Sequence, residues 1–498
     1  MSVIDCPAGK IKGRELQDGI YGYLGIPYCE APLGKLRFRA PQPLKPFDKV
    51  FEAFEYSKIA PQPPPTPATA IPGDPTEWDE NCLTLNIFAR SLENKKQPVM
   101  VFIHGGGFVS GASSSKLYWG VELAKRDVIL VTINYRLGAL GFLAHPNLPD
   151  PDTGVCGNWG LLDQIAALKW VKSNIEAFGG DAEKICVFGE SAGSISIADL
   201  ATSDYAQNCF NAMILESGPA MAMDMEHAQR IAKKFSKSLG YDEPSRSWLE
   251  EIDAKLLVDA QGSLISEIGT VGLAFQPVID GQFLKLHPRQ AWMESKEFPV
   301  PMIIGTNKDE MMLFAMGIPN LDKVTEDQLK SILSRVPSDG IIKNPMDVYQ
   351  IYREKYQNAS PLELWSAIMS DWVFRIPSIK MADLHAKISP SYLYRFDWET
   401  PLLGGVLKAC HALELPFVFG SFSDSFVSLF AGGIKPGAQS LSDHIQTYWS
   451  SFASSCDVNN TKKPHWEKYE SLTKPTMLLN DELQLANFGQ DELVQIWY

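Results

Sequence analysis

Apolar residues run unbroken through Val99-Met100-Val101-Phe102-Ile103 and through Val128-Ile129-Leu130-Val131-Thr132-Ile133-Asn134-Tyr135. A short apolar run bounded by turn residues is what a strand buried on both faces requires. Leu83-Thr84-Leu85-Asn86-Ile87-Phe88 alternates instead, while Ile185-Cys186-Val187-Phe188, Ala212 to Ser217, Val300 to Gly305 and Tyr392 to Phe396 repeat the strand signature. Between Leu161 and Phe178 the period changes: Leu161, Ile165, Leu168, Val171, Ile175 and Phe178 recur at three and four, which predicts an amphipathic helix. Phe178-Gly179-Gly180-Asp181 closes it with glycine on the C-terminal side. Strands alternating with helices predict the α/β class, with a large, mostly parallel sheet covered by helices.

Three intervals break that rhythm. The first sixty residues are dense in Gly and Pro, with Tyr21 to Tyr28 a short strand and turn and Gly34 to Pro43 irregular. Ala60 to Pro67 holds too many prolines for a helix or inner strand, so an extended surface loop is expected. Residues 221–264 are helical and charged, and residues 321–386 are helical with more aromatics. Both read as insertions roofing the sheet's C-terminal edge within one domain spanning 1–498. The C-terminal end, with Trp449, Phe452 and Trp466, reads as a packed helix and tail.

Composition narrows the partners. A net charge of −14 over 498 residues argues against nucleic acid and anionic membranes. The eight cysteines include no Cys-x-x-Cys pair, so neither a metal nor a redox cofactor is expected. Cys186, inside an apolar strand, reads as a small buried hydrophobe. The N-terminus lacks a basic start and an apolar core, and no apolar run approaches the roughly 20 residues of a membrane span. A cytoplasmic protein, monomeric or weakly self-associating, is the expectation.

The strand Ile185 to Phe188 stops at Gly189-Glu190-Ser191-Ala192-Gly193, followed by small residues. A Gly-x-Ser-x-Gly turn between strand and helix needs glycines for clearance and projects the serine hydroxyl into open space. A serine nucleophile requires a base, and His411 follows the last candidate strand, where a loop would bring it over the same sheet edge. His104 precedes Gly105-Gly106-Gly107, whose backbone amides are free to turn towards an oxyanion together with that of Ala192. The acid that orients the histidine is expected after the strand ending at Ile304, where Asp309 and Glu310 compete and the pattern does not choose.

These motifs resemble the type-B carboxylesterases, the family of bacterial para-nitrobenzyl esterases, animal carboxylesterases and cholinesterases. The likeness extends through Gly25-Ile26-Pro27-Tyr28, Leu36-Arg37-Phe38, Glu80 to Asn86, Asn134 to Gly138, Gly157 to Gln164 and Phe275 to Gly281. It implies the α/β-hydrolase fold and an ester hydrolase working through an acyl-enzyme on small to medium, largely apolar esters. It also implies Ser191, Glu310 and His411 as the triad, with Gly106, Gly107 and Ala192 as oxyanion donors. Ser217 corresponds to a supporting serine that hydrogen-bonds near the triad. Trp78, Phe275 and Phe374 are candidate walls of the substrate gorge. Asn81 stands where the family usually has an acidic residue. Secreted relatives bond the counterpart of Cys82 to an earlier cysteine across a loop, but the residues between Glu30 and Asn81 include no cysteine, so that bridge is not expected. Trp78 sits in a different local pattern from the cholinesterase cation-binding tryptophan, so choline specificity is not implied. Two rival readings are a hydrolase specialised for carbamates, amides or xenobiotic diesters, and a neuroligin-like binding module that keeps the fold without the triad.

Overall fold

The computed structural model describes residues 3–66, 70–90, 96–268, 273–318, 320, 323–336, 343–433, 435–460 and 462–498. An 11-stranded sheet forms its centre. In chain order its strands are β1 (Arg14–Gln17), β2 (Ile20–Pro27), β3 (Thr84–Ala89), β4 (Gln97–Ile103), β5 (Ile129–Ile133), β6 (Gly180–Glu190), β7 (Ala212–Glu216), β8 (Met302–Asn307), β9 (Ser391–Phe396), β10 (Pro475–Leu479) and β11 (Gln484–Asn487). They lie side by side as β11-β10-β9-β8-β7-β6-β4-β5-β3-β2-β1. Every pairing from β5 to β10 is parallel, and both flanks finish antiparallel.

The unbroken apolar runs are explained by two cores, one on each face. Along β4, Val99, Val101 and Ile103 enter one core, and Met100 and Phe102 enter the other. On β6, Ile185 and Val187 separate likewise from Cys186 and Phe188. Cys186 is fully buried, and all eight cysteines are unpaired. Each large side chain buried this way contributes about 1.5–3 kcal/mol relative to exposure, so exposing one face of β4 would forfeit several such terms.

Four expectations need correction or refinement. The helix α1 (Trp159–Asn174) is not amphipathic at its start, because Asp163 and Gln164 are as buried as Leu161. Asp163 takes a bidentate pair from Arg136, with Nε and a terminal nitrogen each 2.7 Å away, and Gln164 donates to Ser196 at 3.0 Å. Buried partners thus replace water on that face. The helix then tightens to a 3₁₀ turn at Ile175–Phe178, and Gly179 at φ +89° ends it. The C-terminal end is more than helix and tail: it carries β10 and β11, short strands lacking a long apolar run. The opening residues likewise hold β1 and a separate three-stranded sheet of Val3–Cys6, Gly9–Lys12 and Phe47–Glu52.

The proline-rich stretch runs without helix or strand pairing over its described residues, 60–66, Pro67 lying outside them. It is tied down by Gln62, which both donates to and accepts from the backbone of Gly111 at 2.9 Å. Among the described residues, the intervals read as insertions are helical. The first holds α3 (Met225–Ser238) and α4 (Ala254–Ile268); the second includes Pro345–Lys355, α5 (Pro361–Ser370) and α6 (Ile376–His385). The second interval is not all roof, because Ile376, Ile379 and Ala382 of α6 belong to one core of the sheet. Among the described residues no helix is long and apolar enough to cross a membrane.

Candidate active site

Ser191 stands between β6 and α2 (Ala192–Leu200) with φ 55° and ψ −121°, a region that costs a non-glycine residue about 1–3 kcal/mol. Backbone bonds on both sides hold it there: its N–H donates to the Glu216 carbonyl at 2.9 Å, and its carbonyl accepts from Ile195 at 2.9 Å. The glycines at either end are required by close approach. A Cβ on Gly189 would lie 2.7 Å from the Ile103 carbonyl oxygen, and one on Gly193 only 1.9 Å from that atom.

His411 reaches the same edge on the loop that follows β9. Its Nδ1 lies 2.6 Å from Glu310 Oε2, and its backbone N–H donates to the Glu310 carbonyl at 3.3 Å. The other Glu310 oxygen accepts the Asn307 amide at 2.7 Å, so this fully buried carboxylate is fixed at both ends. Asp309, its competitor in the sequence, instead accepts from the Ala409 amide at 3.4 Å. The opposite ring nitrogen, Nε2, lies 3.0 Å from Oε1 of Glu190, the residue before Ser191. A carboxylate oxygen thus stands near each ring nitrogen, an arrangement that favours the protonated form of the imidazole. Burial alone would lower its pKa, but Glu190 and Glu310 together outweigh burial and hold it well above the ordinary histidine range.

Two further carboxyls lie behind this pair. Glu216, at the end of β7, accepts from Trp449 Nε1 at 2.6 Å, and burial pushes its pKa up to about 8 against that bond. Glu414 accepts from Asn307 Nδ2 at 2.5 Å and is pushed well above the carboxylate range by burial, then by Glu190 and Glu310. Burial thus favours the protonated form of both, and it is Glu190 and Glu310 whose oxygens lie against the histidine. Two aromatic rings flank the imidazole: those of Phe314 and Phe374, each with its centroid 5.0 Å away.

The glycine loop lies against the serine turn, since a Cβ on Gly105 would meet Ser191 Cβ at 3.0 Å. Gly106 and Gly107 have φ of 106° and 60°. The Gly106 carbonyl is occupied by the amides of Val109 and Ser110, whereas among the described residues the N–H groups of Gly106, Gly107 and Ala192 have no acceptor. His104 is neutral, burial lowering its pKa to about 4, and its ring stacks on Tyr135 at 4.6 Å.

The other expected residues are placed less centrally. Ser217 is buried at φ 51° beside the turn, and its hydroxyl has no hydrogen-bond partner among the described residues. Phe275 packs edge-on against Phe235 of α3 at 5.8 Å, within the core. Half-buried Trp78 bridges to Ile59. Phe374 is the one of the three candidate walls that touches the imidazole. Sequence reasoning missed Glu190 and Phe314 as neighbours of His411, and Glu216 and Glu414 behind them. The available signal was an unusual one: three glutamates ending buried strands or sharing the histidine loop, with no cation beside them in the sequence.

The carboxylesterase family profile matches residues 1–497. The chain is 36% identical to the para-nitrobenzyl esterase of Bacillus subtilis (strain 168) over 493 residues, covering 98% of this chain and 97% of that protein. It is 31% identical to the phenmedipham hydrolase of Pseudarthrobacter oxydans, covering 95% and 94%. The crystal structure of a Geobacillus stearothermophilus carboxylesterase superposes with a TM-score of 0.88 at 33% identity, covering 100% of both chains.

Proposed function

This chain belongs to the carboxylesterase family and is a carboxylic ester hydrolase, and from that premise we propose that it cleaves small to medium, largely apolar esters through Ser191, His411 and Glu310. Ser191 Oγ attacks the ester carbonyl as His411 Nε2 takes its proton. Glu310 holds the ring by Nδ1 and balances the imidazolium that forms. The free amides of Gly106, Gly107 and Ala192 receive the oxyanion; losing one such donor typically costs about 2.7–4 kcal/mol. His411 then protonates the departing alcohol, leaving an acyl group on Ser191. A water molecule, deprotonated by the same nitrogen, releases the acid and restores the enzyme. Phe374 and Phe314 form the apolar wall beside the histidine.

The observation that carries this reading is the 2.6 Å contact of His411 Nδ1 with Glu310, with the other ring nitrogen turned to the residue adjoining Ser191. Nε2 must give up its proton and leave Glu190 before it can accept from Ser191 Oγ. The test is Ser191→Ala, assayed on a short-chain nitrophenyl ester with a thermal melt to verify folding. Turnover is expected to fall by about 10⁴-fold or more. A folded variant within tenfold of the parent excludes Ser191 as the nucleophile.

A further inference from the structure

Between α5 and α6 the helix widens into a π-turn, Asp371–Arg375, in which the Ile376 amide donates to the Asp371 carbonyl five residues back. The sequence dictates the widening. Pro377 has no amide to give, and its ring would collide with the Val373 carbonyl in a regular α-helix. Such turns persist where surrounding structure over-determines them, and they cluster at functional sites.

Here the bracing is polar and buried. Asp371 Oδ2 accepts from Arg375 at 2.6 Å and from the Tyr352 hydroxyl, and Tyr352 in turn accepts from Trp497 Nε1 at 2.9 Å. The Arg375 guanidinium also lies 5.6 Å from the centre of the Phe488 ring, which Arg395 approaches at 5.0 Å. The C-terminal segment therefore clasps the turn through two aromatic residues. On the other side of the turn, Phe374 lies 5.0 Å from the imidazole of His411 and 6.2 Å from Phe314. Ser370, the residue before the turn, accepts the Met311 amide at 3.0 Å, next to Glu310. One short segment thus touches both the base and the loop of the acid.

We propose that Asp371 is a positioning residue for catalysis: by joining Tyr352 to Arg375 it fixes the π-turn in the register that lays Phe374 on His411, with Trp497 as the outer brace. This rests on the reading of His411 as the base. Aromatic faces within about 6 Å of a cation stabilise it. Phe374 therefore helps keep the imidazolium in place alongside Glu190 and Glu310, the charged groups that face it. Asp371 itself is faced by Arg375 and Tyr352, with Arg395 beyond.

The test compares kcat, KM and the pH profile of kcat on a short-chain nitrophenyl ester for Asp371→Asn, Tyr352→Phe, Phe374→Leu and the double variant Asp371→Asn/Phe374→Leu. Asp371→Asn is expected to lower kcat about tenfold with KM within about twofold, inside the roughly hundredfold that a misplacement of about 1 Å can cost. The acid limb of its profile should move to lower pH, because a ring favouring the imidazolium has been displaced. The double variant should be no slower than Phe374→Leu alone. Tyr352→Phe removes one brace without touching a charge, and should show the same changes in smaller measure if Asp371→Asn does not fold. An unmoved acid limb in a folded Asp371→Asn or Tyr352→Phe variant, whatever its melting temperature, overturns the proposal. So do losses that multiply in the double variant. Retained turnover in Ser191→Ala would instead sink the triad itself, so the two failures are distinguishable.

Discussion

Gly193 is where the fold and the proposed chemistry meet most tightly. A Cβ there would stand 1.9 Å from the Ile103 carbonyl oxygen, 2.7 Å from its carbon and 3.0 Å from the His104 oxygen. Ordinary contact begins near 3.4 Å, so Gly193→Ala demands a separation of about 1.5 Å. Neither side yields easily. Ile103 ends β4 in register with Gly189 of β6, and His104 opens the glycine loop. The strain must push α2 off the sheet, carrying Ser191 and the Ala192 amide with it. A misplacement of about 1 Å costs on the order of 100-fold, so kcat/KM is expected to fall at least about 100-fold, or about 2.7 kcal/mol of barrier. Overpacking adds a stability loss of about 1–3 kcal/mol. The assay is release of nitrophenol, normalised to organophosphate-titrated sites, with a thermal melt for the fold. Gly281→Ala is the control: φ is +74° but nothing lies within 4 Å, so it bears about 1 kcal/mol of backbone strain and unchanged turnover. Should Gly193→Ala not fold, Gly105→Ala tests the same wall, its Cβ meeting Glu190 Oε2 at 2.7 Å and Ser191 Cβ at 3.0 Å. A folded Gly193→Ala enzyme keeping more than a tenth of kcat/KM refutes the steric argument.

What the sequence disclosed was local, and what it withheld depended on distant contacts. The inner strands were legible because burial on both faces leaves no position for a polar residue, as Val99 to Ile103 illustrate. The serine turn was legible because only glycine fits beside Ile103. The motifs carrying the family likeness prove to be mutual fasteners. Arg37 grips Glu80 at 2.5 and 2.6 Å, Arg136 grips Asp163, and Asn158 exchanges two bonds with the backbone of Val278. Each partner looked isolated in the chain, since the pairs join residues 27 to 120 positions apart. Asp309 and Glu310 could not be separated by pattern, because adjacent carboxylates after a strand differ only in which way the turn points them. The four glutamates of the site, two beside His411 and two behind them, come from β6, β7, the turn after β8 and the histidine loop, and no period or spacing announces that convergence. The edge strand β11 and its neighbour β10 escaped for the opposite reason: β11 has only four residues, and β10 opens on Pro475 and Thr476, so neither displays a long apolar run.

The fasteners and the carboxylates give the remaining expectations. Asp163→Asn leaves the Arg136 guanidinium buried without its counter-charge, which should cost about 3–5 kcal/mol and lower the unfolding midpoint, whereas Arg136→Met/Asp163→Leu should lose less because no lone charge is left inside. Equal losses would show that the ion pair is not what the site requires. Glu190→Gln removes the carboxylate 3.0 Å from His411 Nε2, so the imidazole pKa should fall towards its ordinary value near 6.5. In the parent that pKa is raised, so the pairing stabilises the fold fully below about pH 6.5 and fades as pH rises through the folded value, the same rise over which a neutral base becomes available. The parent's kcat should therefore climb through a limb above pH 6.5, while in Glu190→Gln the limb moves down and the thermal midpoint at pH 6 drops relative to that at alkaline pH. A pH–rate profile that does not shift would mean that Glu190 does not hold the imidazole in solution.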